Sequence, residues 1–196
     1  MNYLSSHELI QALAISAVKV EIPNKLKELV VVNIEIRIAT DADIIPVYRM
    51  LELYQHDLSD IWDQDLDAHG EFGFMLDRFW VSSSCKAYVF LANGKFAGCA
   101  LVDKSVRIPG DDFWMSQFFV MKKYRGSGVG RKAAQHIFDQ LGGRWEVGQM
   151  PANRPAFLFW ERVISDYTND TFDQYELNDD RWHGTLQCFG VPTGKV

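Results

Sequence analysis

Hydrophobic and polar residues alternate strictly through Ile34-Glu-Ile-Arg-Ile38, and a period of two marks a half-buried strand. The period then lengthens to that of a helix. Asp43 stands where an N-cap belongs, and Pro46 falls in the first turn, where its missing N–H has no helical partner anyway. Val47, Tyr48, Leu51 and Tyr54 line the inner face of this helix. Lys86 to Leu91 and Phe96 to Val106 read as two strands joined at Asn93-Gly94, a tight hairpin turn. Pro109-Gly110-Asp111-Asp112 turns the chain into a long strand, Phe113 to Met121, which runs into a glycine-rich loop. Helical spacing returns with Val129, Ala133, Ala134, Ile137, Phe138 and Leu141. Residues 144–149 read as a strand, 153–164 as a helix opened by Asn153 with Pro155 in its first turn, and 172–177 and 185–189 as a final antiparallel pair. Ahead of all this, 6–18 and 26–30 show short helical faces interrupted at Pro23-Asn24.

The loop Tyr124-Arg-Gly-Ser-Gly-Val-Gly130 lies between a strand and a helix. Such a loop presents bare backbone N–H groups at the positive end of the helix dipole, and that combination binds phosphate. Lys122, Lys123, Arg125, Arg131 and Lys132 crowd the same place, in a chain whose net charge is −6. The loop is not Walker A, because no Gly-Lys-Ser/Thr closes it. Nor is it the dinucleotide fingerprint, because the spacing is Gly-x-Gly-x-Gly and no acidic residue follows about 20 positions on at a second strand end.

What the loop matches is Arg/Gln-x-x-Gly-x-Gly/Ala, as Arg125, Gly128 and Gly130. Downstream, Trp145-Glu-Val147 and Asn153-x-x-Ala156-x-x-Phe159-Trp160 form a second motif. Together they resemble the GNAT superfamily of N-acetyltransferases over residues 34–190. The resemblance implies an α/β (α+β) fold: a mixed, mostly antiparallel central sheet flanked by helices. Residues 1–33 would form an N-terminal helical arm, for packing or dimerisation, and 191–196 a short tail. Acetyl-coenzyme A would be the cosubstrate. Backbone N–H groups of Gly126, Ser127, Gly128, Val129 and Gly130 would hold its pyrophosphate, with Arg125 and Arg131 adding charge. Backbone groups of Phe118, Phe119 and Val120 would pair with the pantetheine amides, and Asn153 would lie near that arm besides capping its helix. A backbone N–H near Val120 would meet the oxyanion formed when an amine attacks the thioester directly.

Two positions depart from the family pattern. Trp160 stands where many members carry a tyrosine that protonates the departing thiolate, and an indole N–H is no usable acid. Gln117 stands where similar sequences often carry a glutamate, and an amide cannot act as the base. The segment 50–77 holds eight acids and no Lys or Arg. In the family this region roofs the acceptor site, so it would draw in a cationic amine. Asp57 and Asp60 are the first candidates for contact, with Asp57 as a base; the plainer alternative is a solvated acidic loop.

Composition narrows the field further. A hydrophobic content of 47% and 13% aromatics can build one core in 196 residues. A pI near 5.3 gives no general nucleic-acid footprint. Cys85, Cys99 and Cys188 are scattered, and no His pair has ligand spacing, so neither a disulfide framework nor a metal site is expected. No apolar run reaches the roughly 18 residues that span a bilayer, and the N-terminus lacks the basic start of a signal peptide. The sequence therefore reads as a cytoplasmic N-acetyltransferase acting on a primary amine of a small cationic metabolite, with no membrane or nucleic-acid partner and a homodimer left open. The alternative is a non-catalytic acyl-coenzyme A sensor or interaction module, which losing both the usual acid and the usual base would favour.

Overall fold

The structure, a computed structural model, describes residues 32–192. The helical arm expected over 1–33 lies, up to residue 31, outside the described residues, as does the tail from residue 193.

Among the described residues seven strands form one sheet. They are β1 (Ile34–Ile38), β2 (Lys86–Ala92), β3 (Lys95–Asp103), β4 (Phe113–Val120), β5 (Arg144–Gln149), β6 (Asp173–Asp179) and β7 (Trp182–Gly190). Their order across the sheet is β1-β2-β3-β4-β5-β7-β6. Every neighbouring pair is antiparallel except β4 and β5, which are parallel and joined through a helix. The helices among the described residues are α1 (Ile44–Trp62), α2 (Arg78–Val81), α3 (Val129–Leu141) and α4 (Arg154–Thr168). This is the expected mixed, mostly antiparallel sheet flanked by helices.

Two local expectations are corrected. Strand β3 ends at Asp103 instead of running to Val106, because the Asp103 carboxylate accepts the Ser105 N–H at 2.8 Å and the Arg78 guanidinium at 2.7 Å. Those bonds turn the chain out of the ladder. Asp43 stands at the N-cap of α1 but makes no capping bond. Its buried carboxylate turns back to the Thr40 N–H and hydroxyl, at 2.8 and 2.9 Å, and to the Arg37 guanidinium, at 2.6 and 2.9 Å. The end of β1 is thereby tied to the start of α1. The Arg37 hydrogen bonds outweigh burial and hold the Asp43 carboxyl far below the usual carboxylate range.

Each face of the sheet is covered. On one, Val47 and Leu51 of α1 and Phe79 of α2 pack against Val89, Leu101 and Phe119. On the other, the Phe138 ring of α3 lies 4.8 Å from Trp145, 4.9 Å from Phe189 and 5.3 Å from Tyr167, measured between centroids. Burial of aromatic rings of this size contributes roughly 2–3 kcal/mol each.

Candidate active site

Strand β4 is paired with β3 along its length, but with β5 only at Phe113–Trp145 and Trp114–Glu146. Beyond Trp114 the two strands part. Ser116 is the extra residue of a β-bulge, since Leu101 pairs with Gln117 while Val102 pairs with Met115, and a bulge bends its strand. Facing it, Gly148 of β5 leaves room for the Trp114 ring: a Cβ there would sit 2.5 Å from that ring.

The register decides which backbone groups face the gap. Met121 donates its N–H to Ala97 at 2.9 Å, so by alternation Phe119 and Gln117 also turn their N–H and C=O toward β3. Phe118 and Val120 turn theirs to the open side. Of the three residues expected to offer backbone groups along β4, Phe118 and Val120 therefore face the gap, with the Val120 carbonyl already taken by the Arg125 Nε, and Phe119 does not. Its peptide groups belong to the β3 ladder and its ring packs 5.6 Å from Tyr54.

The glycine loop leads directly off this edge. Gly126 and Gly128 have φ of +74° and +86°, a region that favours glycine. Gly130 is needed for another reason: a Cβ would lie 3.2 Å from the Phe159 ring and 3.4 Å from Val120. The N–H groups of Gly126, Gly128, Val129 and Gly130 meet no acceptor among the described residues, and the first α3 bond is Lys132 N–H to Gly128 C=O. Ser127 departs from expectation, because its N–H and hydroxyl both turn back to the Tyr124 carbonyl. Arg131 pairs with Asp166 of α4 at 3.3 Å.

Arg125 donates its Nε to the Val120 carbonyl at 2.7 Å and a terminal nitrogen to Asp57 at 2.7 Å. Lys122 reaches the other Asp57 oxygen at 3.0 Å. Burial alone would push the Asp57 carboxyl up, but its bonds to Arg125 and Lys122 outweigh that and lower it. A carboxylate held this way is a poor base. Asp57 is an anchor between α1 and the phosphate-type loop, which corrects its expected role as proton acceptor and acceptor contact.

Four of the eight acids in 50–77 are spent within the fold. Besides Asp57, Glu52 accepts the Phe72 and Gly73 N–H groups, Asp67 those of His69 and Glu71, and Glu71 the Tyr48 hydroxyl. Beneath this segment lies a cleft of about 620 Å³. It reaches Ser116 and Gln117 of β4, so it meets the strand at the bulge. Gln55 and Gln64 line it, as do Phe72, Phe74, Met75 and Phe79. Asp77 is the one of the eight acids among its lining residues, and Arg78, also there, is bound to Asp103. Sequence reading missed Gln55, Gln64 and Ser116. One signal was present: Gln55 interrupts the apolar face of α1, four residues after Leu51 and three before Leu58.

Trp160 is 5% exposed, with its ring edge-on to Phe118 at 4.8 Å, so it packs behind β4. Asn153 caps α4 by accepting the Ala156 N–H at 3.2 Å. Tyr167 donates its hydroxyl to Asp139 at 2.6 Å, and burial together with that bond pushes its pKa up. Asp111, Glu146 and Cys188 bring ligand atoms within 4.8 Å of one another. The carboxylates serve the fold: Glu146 accepts the Arg107 and Ile108 N–H groups and Asp111 accepts Arg144.

A split sheet with a free inner strand edge, an N–H-rich loop at one end and a cleft at its bulge suits a cosubstrate that carries both phosphate and amide groups. Known proteins share the fold. The profile of the acetyltransferase (GNAT) family matches residues 47–164, and the chain belongs to that family. It is an acetyl-coenzyme A-dependent acetyltransferase. Among curated proteins no sequence matches significantly. An acetyltransferase from Thermus thermophilus superposes with a TM-score of 0.61 at 15% identity, covering 81% of this chain and 97% of that one. A Corynebacterium glutamicum protein described as histone acetyltransferase HPA2 and related acetyltransferase gives 0.58 at 18%, covering 82% and 97%. The aminoglycoside acetyltransferase AAC(6')-Ib, solved with coenzyme A, gives 0.54 at 15%, covering 81% and 95%. At these identities the likeness is one of fold. No helix among the described residues is long and apolar enough to cross a membrane.

Proposed function

We propose that this protein moves the acetyl group of acetyl-coenzyme A to the primary amine of a small molecule held in the Ser116–Gln117 cleft. The observation that carries the reading is the edge of β4 left unpaired by β5, where the Phe118 backbone and the Val120 N–H face the gap between the glycine loop and the cleft. The N–H groups of Gly126, Gly128, Val129 and Gly130 hold the pyrophosphate, with the loop charges of Arg125 and Arg131 beside them. Phe118 and Val120 offer the pantetheine arm a strand edge, and Asn153 lies at the start of α4 near the same path.

The neutral amine attacks the thioester carbonyl from the cleft side. The C–N bond forms, the N–H of Phe118, the open-side donor next to the bulge, meets the developing oxyanion, the C–S bond breaks, and one amine proton ends on the coenzyme A sulfur. Gln117 lines the reacting end as a hydrogen-bonding group and carries no proton. Asp77 supplies the negative charge that draws a protonated amine into the cleft and takes its proton through water. Trp160 acts by packing, so the amine proton reaches the thiolate through water.

The test is thiol release from acetyl-coenzyme A in the presence of an amine panel, beside calorimetry with coenzyme A. Turnover with a primary amine is expected. Tight coenzyme A binding with no thiol release on a broad panel overturns this reading in favour of a sensor.

A further inference from the structure

We infer that Gln55 is a positioning residue for the acceptor, and that the acceptor carries its primary amine on an apolar body; this rests on the acetyl-transfer reading above. Gln55 is 8% exposed on the inner face of α1, yet it lines the cleft that reaches Ser116 and Gln117. Its Nε2 donates to Gln64 Oε1 at 3.3 Å, and Gln64 Nε2 in turn donates to the Phe72 carbonyl at 3.1 Å. That chain of bonds fixes which end of the Gln55 amide is committed. Its Oε1 is buried and has no partner.

A buried acceptor left unpaired carries a cost; Gln149 Oε1 and Gln187 Oε1 are unpaired as well, but of the three glutamines Gln55 is the one that lines the cleft. A substrate N–H removes the cost. An amine nitrogen whose N–H is held by Oε1 has its lone pair set in direction, which is what direct attack on a thioester requires. A neutral amide is suited to this task. A carboxylate at the same place would stabilise the ammonium form and lower the fraction that can attack.

The rest of the lining describes the body that the amine rides on. Phe72, Phe74, Met75 and Phe79 present apolar surface, Arg78 is spent on Asp103, and Asp77 remains as the single available carboxylate. One carboxylate matches one ammonium group. A dication without apolar bulk leaves four apolar side chains unused and its second charge unmatched. The substrate class narrows accordingly, from the small cationic acceptor that the acidic segment implied to a monoamine with an aromatic or branched aliphatic body.

The experiment measures thiol release at saturating acetyl-coenzyme A, with 2-phenylethylamine and putrescine as probes. Wild-type protein is expected to favour 2-phenylethylamine in kcat/KM. Gln55→Leu should lose about tenfold in kcat/KM for that amine, with the KM for acetyl-coenzyme A unchanged. Its Tm should change little, because loss of the long Gln64 bond is offset by removal of an unpaired buried acceptor; a merely structural glutamine would lower the Tm and leave kcat/KM alone. Gln55→Glu should lower the KM for the amine and move the rise of kcat/KM to higher pH. If Gln55→Leu does not fold, Gln55→Asn, which withdraws the acceptor by one methylene, should show the same loss of kcat/KM. Unchanged kcat/KM in either folded variant overturns the role of Gln55, and a preference for putrescine overturns the substrate class; both leave acetyl transfer standing. Absence of thiol release from wild type with every amine overturns acetyl transfer itself, and this inference with it.

Discussion

Replacing Gly128 with aspartate separates the loop's role in binding from its role in folding. Gly128 is the N-cap of α3 at φ +86°, and a Cβ there meets no protein atom within 4 Å. The substitution therefore creates no clash with the protein. Left-handed strain for a residue with a side chain costs about 1–2 kcal/mol, and a carboxylate at a helix N-terminus returns about 0.3–1 kcal/mol. The net loss of about 1 kcal/mol corresponds to a fall in Tm of roughly 2–4 °C. Binding responds far more strongly. At about 5 Å, and with an effective dielectric constant between 20 and 80, one added negative charge repels each phosphate charge by about 0.8–3 kcal/mol. Two such charges predict a coenzyme A Kd raised at least about tenfold, before any steric conflict with the pyrophosphate. Gly128→Ala carries the strain without the charge and separates the two effects. Calorimetry with coenzyme A, run beside thermal unfolding, reads both quantities. A Gly128→Asp protein that unfolds cooperatively and binds coenzyme A with the wild-type Kd would refute the placement of the pyrophosphate.

Other outcomes follow from the same geometry. Trp160→Phe should keep turnover within a few-fold while lowering stability by about 1–2 kcal/mol through lost packing behind Phe118; a loss beyond roughly 10²-fold in a stable variant, the scale of a missing acid–base group, would show that the indole takes part in the chemistry. Asp43→Asn should cost about 2 kcal/mol in urea unfolding at neutral pH, since it removes the charge that holds Arg37 and leaves that guanidinium only the exposed Glu35, at 3.5 Å, as an ionic partner; that figure allows for solvent reaching the Arg37 side chain, which is 35% exposed. Because the folded-state pKa of Asp43 is depressed, its stabilisation is fully present above the unfolded value of about 3.9 and is lost as pH falls below it. The urea midpoint of wild type should therefore drop more steeply below about pH 4 than that of the variant, and parallel pH curves would contradict the assignment.

How far the chain could be read depended on how local each determinant is. Periods of two and of 3.6 report burial on one strand or one helix, so β1, the β2–β3 hairpin, β4 and α3 were legible from residues in sequence order. The glycine loop was legible for the same reason: its positive φ values and free N–H groups arise within one turn. Distant pairings were not legible. Asp57 and Arg125 are 68 positions apart, and their ion pair turns an expected base into an anchor. The bulge at Ser116 appears only once β3 fixes the register of β4, and that register alone separates Phe118 and Val120, which face the gap, from Phe119, which does not. Acids counted along 50–77 looked like one negative roof, yet folding spends Glu52, Asp57, Asp67 and Glu71 on N–H groups, cations and a hydroxyl and leaves Asp77 in the cleft. Sequence determined which elements form and where backbone N–H groups stay free of the fold, because backbone conformation and hydrophobic periodicity act over a few residues. Tertiary structure decided which side chains remain free for chemistry, because charges and hydrogen bonds are claimed by whatever the fold brings within about 3 Å.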